Sequence, residues 1–132
     1  MEMKSNRGFT VIELIIIITV LAFASVVFFI QRSNLEVAAR DQERKTAINA
    51  IYYSLEEVYY KEHKAYPRTV SSKILPSVDP DLFKDTNGVA IGEGDSEYSY
   101  EGLNCSSDDS CKSYTLKATL ENESDYTRKS RN

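Results

Sequence analysis

Lys4-Ser5-Asn6-Arg7-Gly8-Phe9-Thr10-Val11-Ile12-Glu13 runs without a break into an apolar stretch that ends at Ile30. From Phe9 to Ile30 only Thr10, Glu13, Thr19 and Ser25 are polar. As a helix these 22 residues would span roughly 33 Å, enough to cross the hydrocarbon core of a bilayer. Glu13 is the single ionisable group in the stretch. An ionised carboxylate is costly in hydrocarbon, and where one occurs it usually marks function. Lys4 and Arg7 precede the run, so the positive-inside bias places the amino terminus in the cytoplasm and everything after about Gln31 outside.

The whole chain has 132 residues, room for one small domain plus an anchor. It holds 16 Lys+Arg and 20 Asp+Glu, a net charge of −4. Lys4, Arg7 and Glu2 lie before Phe9, so the remainder carries 14 and 19 of these, a net of −5. This mild acidity suits a soluble exported domain. It gives no electrostatic footprint for nucleic acid. A secretory signal peptide is the competing reading of the N-terminus, with Ala22-Phe23-Ala24 as a cleavage site before Ser25. Against it, the apolar run continues past that site and Glu13 falls inside it. A plain signal anchor leaves both Gly8-Phe9 and Glu13 unexplained.

Residues 31–65 contain no Pro and no Gly, and Leu35, Ala38, Ala39, Ile48, Ile51, Leu55, Val58 and Tyr59 recur at helical spacing. One helix from about Phe9 to about Lys64 is the simplest reading. Its first half is apolar all round and its second half amphipathic, as for a helix laid on a small domain. Ala65-Tyr66-Pro67 ends it, because the residue before Pro is pushed out of the helical region. Residues 66–97 read as an irregular loop with Pro76, Pro80, Gly88, Gly92 and Gly94. Tyr98-Ser99-Tyr100-Glu101 and the run from Ser113 to Leu120 alternate with period two, as strands do. Tyr114, Leu116, Ala118 and Leu120 share one face. The two strands pair naturally as a β-hairpin over 98–121, and residues 122–132 read as a flexible tail.

Cys105 and Cys111 are the only cysteines and flank Ser-Ser-Asp-Asp-Ser. In an exported domain an even count favours a disulfide, here a staple at the hairpin tip. Asp79, Asp81 and Asp85 with Asn87-Gly88 faintly suggest a calcium loop, but the spacing fits no EF-hand, and solvated turns are the simpler reading. No metal or cofactor is expected. Five of the nine tyrosines fall in residues 52–66; those on the inner helix face read as core. His63 reads as an exposed helix residue. No nucleophile–base pair, phosphate loop or acid/base carboxylate pair is present, which argues against an enzyme.

The basic leader, the Gly8-Phe9 pair and the lone Glu13 together resemble the N-terminal signal of type IV prepilins. That family covers type IV pilins, the pseudopilins of type II secretion and the pilins of DNA-uptake systems. The helix end Leu55 to Pro67 and the late strand Tyr114 to Glu121 are similar to theirs. The resemblance implies an α+β, pilin-like fold: a long N-terminal helix, half transmembrane and half amphipathic, packed on a small antiparallel sheet. It implies a leader peptide 1–8, a transmembrane or filament-core helix 9–30 and a globular domain 31–121. It implies cleavage between Gly8 and Phe9 by a prepilin peptidase, with N-methylation of Phe9. It gives Glu13 an assembly role, pairing with the new N-terminus of a neighbouring subunit and fixing filament register. The implied partners are other pilins in a homo- or hetero-polymer, an assembly platform protein and the inner membrane. Pilus subunit, secretion pseudopilin and DNA-uptake pilin stay open, as does a membrane-anchored surface protein that does not polymerise. The mature positions at which many members carry Gly or Pro are Ala22 and Ile30 here, which puts local melting of the helix in doubt.

Overall fold

The protein is described by a computed structural model covering residues 8–132. Residues 1–7, with Lys4 and Arg7 of the expected leader, lie outside the described residues. The chain divides into two compact units, Met1–Glu36 and Val37–Asn132.

Helix α1 spans Val11–Ser54 and passes without interruption through a π-helical turn, Leu55–Tyr59, into α2, Tyr60–His63. The absence of Pro and Gly over 31–65 leaves nothing to break it. It stops at Lys64, which adopts the left-handed conformation (φ 56°) while its N–H still reaches the Tyr60 carbonyl at 2.8 Å. Tyr66-Pro67 follows at once as the short strand β1.

In the first unit every residue from Gly8 to Glu36 is exposed. The apolar residues from Val11 to Ile30 have no protein to pack on, so the helix presents hydrocarbon on all sides. Its two interior hydroxyls are turned inward: Thr19 Oγ1 donates to the Ile15 carbonyl at 2.8 Å and Ser25 Oγ to the Leu21 carbonyl at 2.7 Å. Such back-bonding satisfies both hydroxyls within the helix itself.

The second unit is an α+β domain in which the later part of the helix packs on a four-stranded antiparallel sheet. Strands β2 (Tyr98–Cys105) and β3 (Ser110–Ala118) form the hairpin, with Tyr98 opposite Ala118 and Cys105 opposite Cys111. β2 runs along one side of β3. The other side is shared by β1, at Ser110 and Cys111, and by β4 (Tyr126–Lys129), at Thr115 to Ala118. Ile48, Ile51 and Leu55 meet Tyr114, Leu116 and Ala118 in a core closed by Tyr66, Val70, Leu75, Val78, Phe83 and Tyr98. The face that the alternation assigned to the interior (Tyr114, Leu116, Ala118, Leu120) is the buried one.

Two regions differ from the sequence reading. Residues 122–132 are not a flexible tail: they supply β4, and beyond it the Ser130 N–H donates to the Tyr114 carbonyl at 3.2 Å. Their polarity hid this, because what holds them is a free side of β3, with the Arg128 guanidinium 4.2 Å above the Tyr52 ring. On the helix, Leu35, Ala38 and Ala39 are exposed, whereas Asp41 and Arg44 are buried. The amphipathic periodicity is real only from Ala47 onward. Before it, the inner face is ionic.

Candidate functional site

Gly8, Phe9 and Thr10 precede α1, outside any regular element, and all three are exposed. Thr10 Oγ1 accepts the Glu13 N–H at 3.3 Å, and the Thr10 carbonyl accepts the first helical bond, from the Leu14 N–H, at 3.1 Å. Thr10 is therefore the N-cap and Glu13 the third helical residue, the spacing of a capping box. This was legible as Thr-x-x-Glu but masked by the attention Glu13 draws on its own. A carboxylate there suits the positive end of the helix dipole. Among the described residues Glu13 makes no ion pair. The helix begins three residues past Gly8, and a side chain at Gly8 would meet open space. Among the described residues nothing in the fold itself thus demands a glycine there. Ala22 and Ile30 lie within unbroken α1.

Cys105 and Cys111 are bonded to each other across the hairpin, at directly opposed positions of β2 and β3. Gly102 makes room for the bridge: a Cβ there would stand 2.7 Å from Cys111 Sγ and 3.2 Å from Cys105 Sγ. The enclosed acidic pair is locally engaged. Asp109 pairs with Arg68 at 2.8 Å, and Asp108 accepts from Ser110 Oγ at 3.3 Å.

Arg44 is the hub of the domain. It is 2% exposed, and its five N–H groups have five acceptors. Nε and Nη2 grip Glu97 at 2.9 and 2.8 Å, and Nη2 also reaches Thr86 at 3.1 Å. Nη1 reaches Asp41 at 2.7 Å and Glu121 at 2.9 Å. One helix residue so fixes the loop at Thr86, the approach to β2 at Glu97 and the exit of β3 at Glu121. Glu121 is drawn down to about 2, chiefly by Arg40 and then by Arg44. Asp41 is lowered too, first by the Glu121 amide and then by Asn122 and Arg44, against the cost of burial. Asp85 is lowered although burial opposes it, because the amides of Glu97, Val89 and Asn87 all point at its carboxylate. Asp79 caps the 3-10 turn Pro80–Phe83 by accepting the Asp81 amide at 3.0 Å. Asp79 and Asp85 are thus spent on backbone amides, and Asp81 pairs with Lys84 at 3.7 Å. Among the described residues no group of three His, Cys, Asp or Glu is arranged to hold a metal.

Glu56, in the π-helical turn, is also buried. Its carboxylate accepts from Tyr66 Oη at 3.1 Å, Tyr114 Oη at 2.9 Å and the Arg131 amide at 3.2 Å. Burial first, and the carboxylate second, push the Tyr114 phenol well above its ordinary value. Helical spacing puts Glu56 in line with Ile48 and Tyr52 on the buried face and Glu57 off it, but a carboxylate gave no sign of being buried there. His63 is exposed and stacks on Tyr59 at 4.1 Å.

An exposed Gly-Phe peptide thus stands ahead of a capped helix whose stretch from Val11 to Ile30 carries one ionisable group, Glu13, in its first turn. Residues 3–29 match the family described as the prokaryotic N-terminal methylation motif, which is typical of type IV pilin and pseudopilin prepilins. No curated protein and no solved structure matches the chain.

Proposed function

We propose that the chain is a structural subunit of a type IV pilus-like filament. The observation that carries this reading is the methylation motif over residues 3–29, running into an apolar helix whose one ionisable group is Glu13. A prepilin peptidase hydrolyses the Gly8–Phe9 peptide, leaving a carboxylate on Gly8 and an amine on Phe9, which is then N-methylated and stays cationic. The mature protein sits in the inner membrane as a single-pass anchor with its N-terminus inside. A platform protein passes it into a homo- or hetero-polymer, and the assembled filament lies in the periplasm or outside the cell. Glu13 and the new Phe9 ammonium are four residues apart, about one helical turn. A neighbour displaced along the axis sets its ammonium against Glu13 and neutralises it as water is excluded. Removing one partner of such a buried pair costs roughly 3–5 kcal/mol, so the pair fixes register. The role is structural rather than enzymatic. Service in a secretion pseudopilus or a DNA-uptake filament is a narrower version of the same reading.

Coexpression with a prepilin peptidase tests it. The intact mass should correspond to methylated Phe9 as the first residue, and Gly8→Val should block cutting. An N-terminus at Ser25 would instead establish a secretory signal. In purified filaments, quantitative blotting should find Glu13→Gln strongly depleted relative to wild type, although the variant inserts in the membrane normally. Equal incorporation would remove the register role. Absence of the wild-type protein from every surface filament would favour a non-polymerising anchor.

A further inference from the structure

We infer that Thr10 is a positioning residue for the processing step: by capping α1 it holds the Gly8–Phe9 peptide outside the helix, in the open form a peptidase can engage. This rests on the processing reading above. A peptide bond inside a helix is a poor substrate, because its carbonyl is hydrogen-bonded along the axis and its surroundings are fixed in the helical region. Here the border falls one residue beyond Phe9. The Thr10 hydroxyl takes the Glu13 amide and the Thr10 carbonyl takes the Leu14 amide. Gly8 and Phe9 are left exposed and unpaired with the helix.

The sequence shows why the cap matters. The next residue upstream with a strong N-cap side chain is Asn6. A helix begun there would take Arg7, Gly8 and Phe9 as its first turn. The Phe9 N–H would be donated to the Asn6 side chain and the Gly8 carbonyl would accept from the Ile12 amide. Both sides of the scissile bond would then be occupied. Propagation favours such growth, since each added residue brings one more bond once the helix exists. Thr10 decides between the two starts. Its neighbour at the third helical position, Glu13, supports the same start through the dipole.

The experiment uses the full chain in membrane vesicles with a purified prepilin peptidase, comparing wild type with Thr10→Val, Thr10→Ser and Thr10→Asn. Valine keeps the shape of threonine but cannot cap; asparagine changes the shape but caps well. Thr10→Val should lower kcat/KM for cutting at Gly8–Phe9 about fivefold, and Ser and Asn should restore it. In detergent micelles the 13Cα shifts of Gly8 and Phe9 should be non-helical in wild type and move toward helical values in Thr10→Val. Cutting of Thr10→Val at the wild-type rate overturns the inference. So does a slow Thr10→Asn beside a fast Thr10→Ser, since the peptidase would then be reading the threonine side chain directly. A slow Thr10→Val with unchanged Gly8 and Phe9 shifts overturns it as well. A wild-type chain left uncut, where a control prepilin is cut, fails at the processing reading itself and removes this inference with it.

Discussion

Two carboxylates on one continuous helical stretch, Glu13 and Glu56, stand in opposite situations. Glu56 is buried, and its own domain supplies two tyrosine hydroxyls and a backbone amide. Glu13 is exposed, with only its backbone tied to Thr10, and the stretch from Val11 to Ile30 offers it no cation. In the domain Arg44 uses all five donors within its own chain, although the buried Arg128 Nε has no hydrogen-bond partner among the described residues. Under the filament reading proposed above, Glu13 in the anchor is completed by a cation from another molecule. A protein that folds as a monomer and assembles as a polymer would be divided in this way.

The largest effect that sharpens the contrast is expected at Arg44. Arg44→Met should leave Asp41 and Glu97 without their guanidinium partner, while Arg40 still holds Glu121, and cost the domain roughly 3–5 kcal/mol. Thermal melting of a soluble fragment starting near Gln31 reads this directly. A loss below 1 kcal/mol would show that the domain does not depend on neutralising itself.

Next comes the disulfide, a covalent tie the anchor lacks. Replacing both Cys105 and Cys111 by Ser should cost roughly 2–3 kcal/mol in the chain-entropy model, and processing at Gly8 should be unaffected. Gly102→Ala should act at the same place with a smaller effect, on the order of 1–2 kcal/mol, because its Cβ crowds Cys111 Sγ. If alkylation under native, non-reducing conditions labels both cysteines, the bridge is absent from the folded domain.

Acid is expected to have the smallest and most graded effect. Asp41, Asp85 and Glu121 are all held below their ordinary values in the folded domain. Groups with depressed values stabilise the fold at pH above their unfolded values. That stability is lost as pH falls through the folded values, for Glu121 from 4.5 toward about 2. Melting temperature of the same fragment should be flat from pH 7 to about pH 5 and decline below that. A fragment equally stable at pH 2.5 and pH 7 would mean that these carboxylates are not preferentially stabilised as anions in the folded state.

Much of this was open to reading from the chain alone. The apolar run from Phe9, its single carboxylate and the basic residues before it required no contacts to interpret, because an apolar run of this kind is read from its composition and its length. The unbroken helix to His63 followed from missing Pro and Gly, and the β2–β3 hairpin from period-two alternation. Sequence reading failed where a residue's environment is made by distant segments. Asp41 and Arg44 look like any exposed i,i+3 pair until Glu97 and Glu121 close over them. Glu56 and Glu57 are adjacent and alike, yet the π-helical turn and two tyrosines bury one and leave the other to pair with Lys61 and Arg131. The last strand, Tyr126 to Lys129, has almost no apolar content, and its order comes from an open side of β3. Local pattern therefore determined where the helix is apolar on all sides and where it is not. Only the tertiary structure decided which charges the domain keeps inside, because burial of a charge depends on partners brought from elsewhere in the chain.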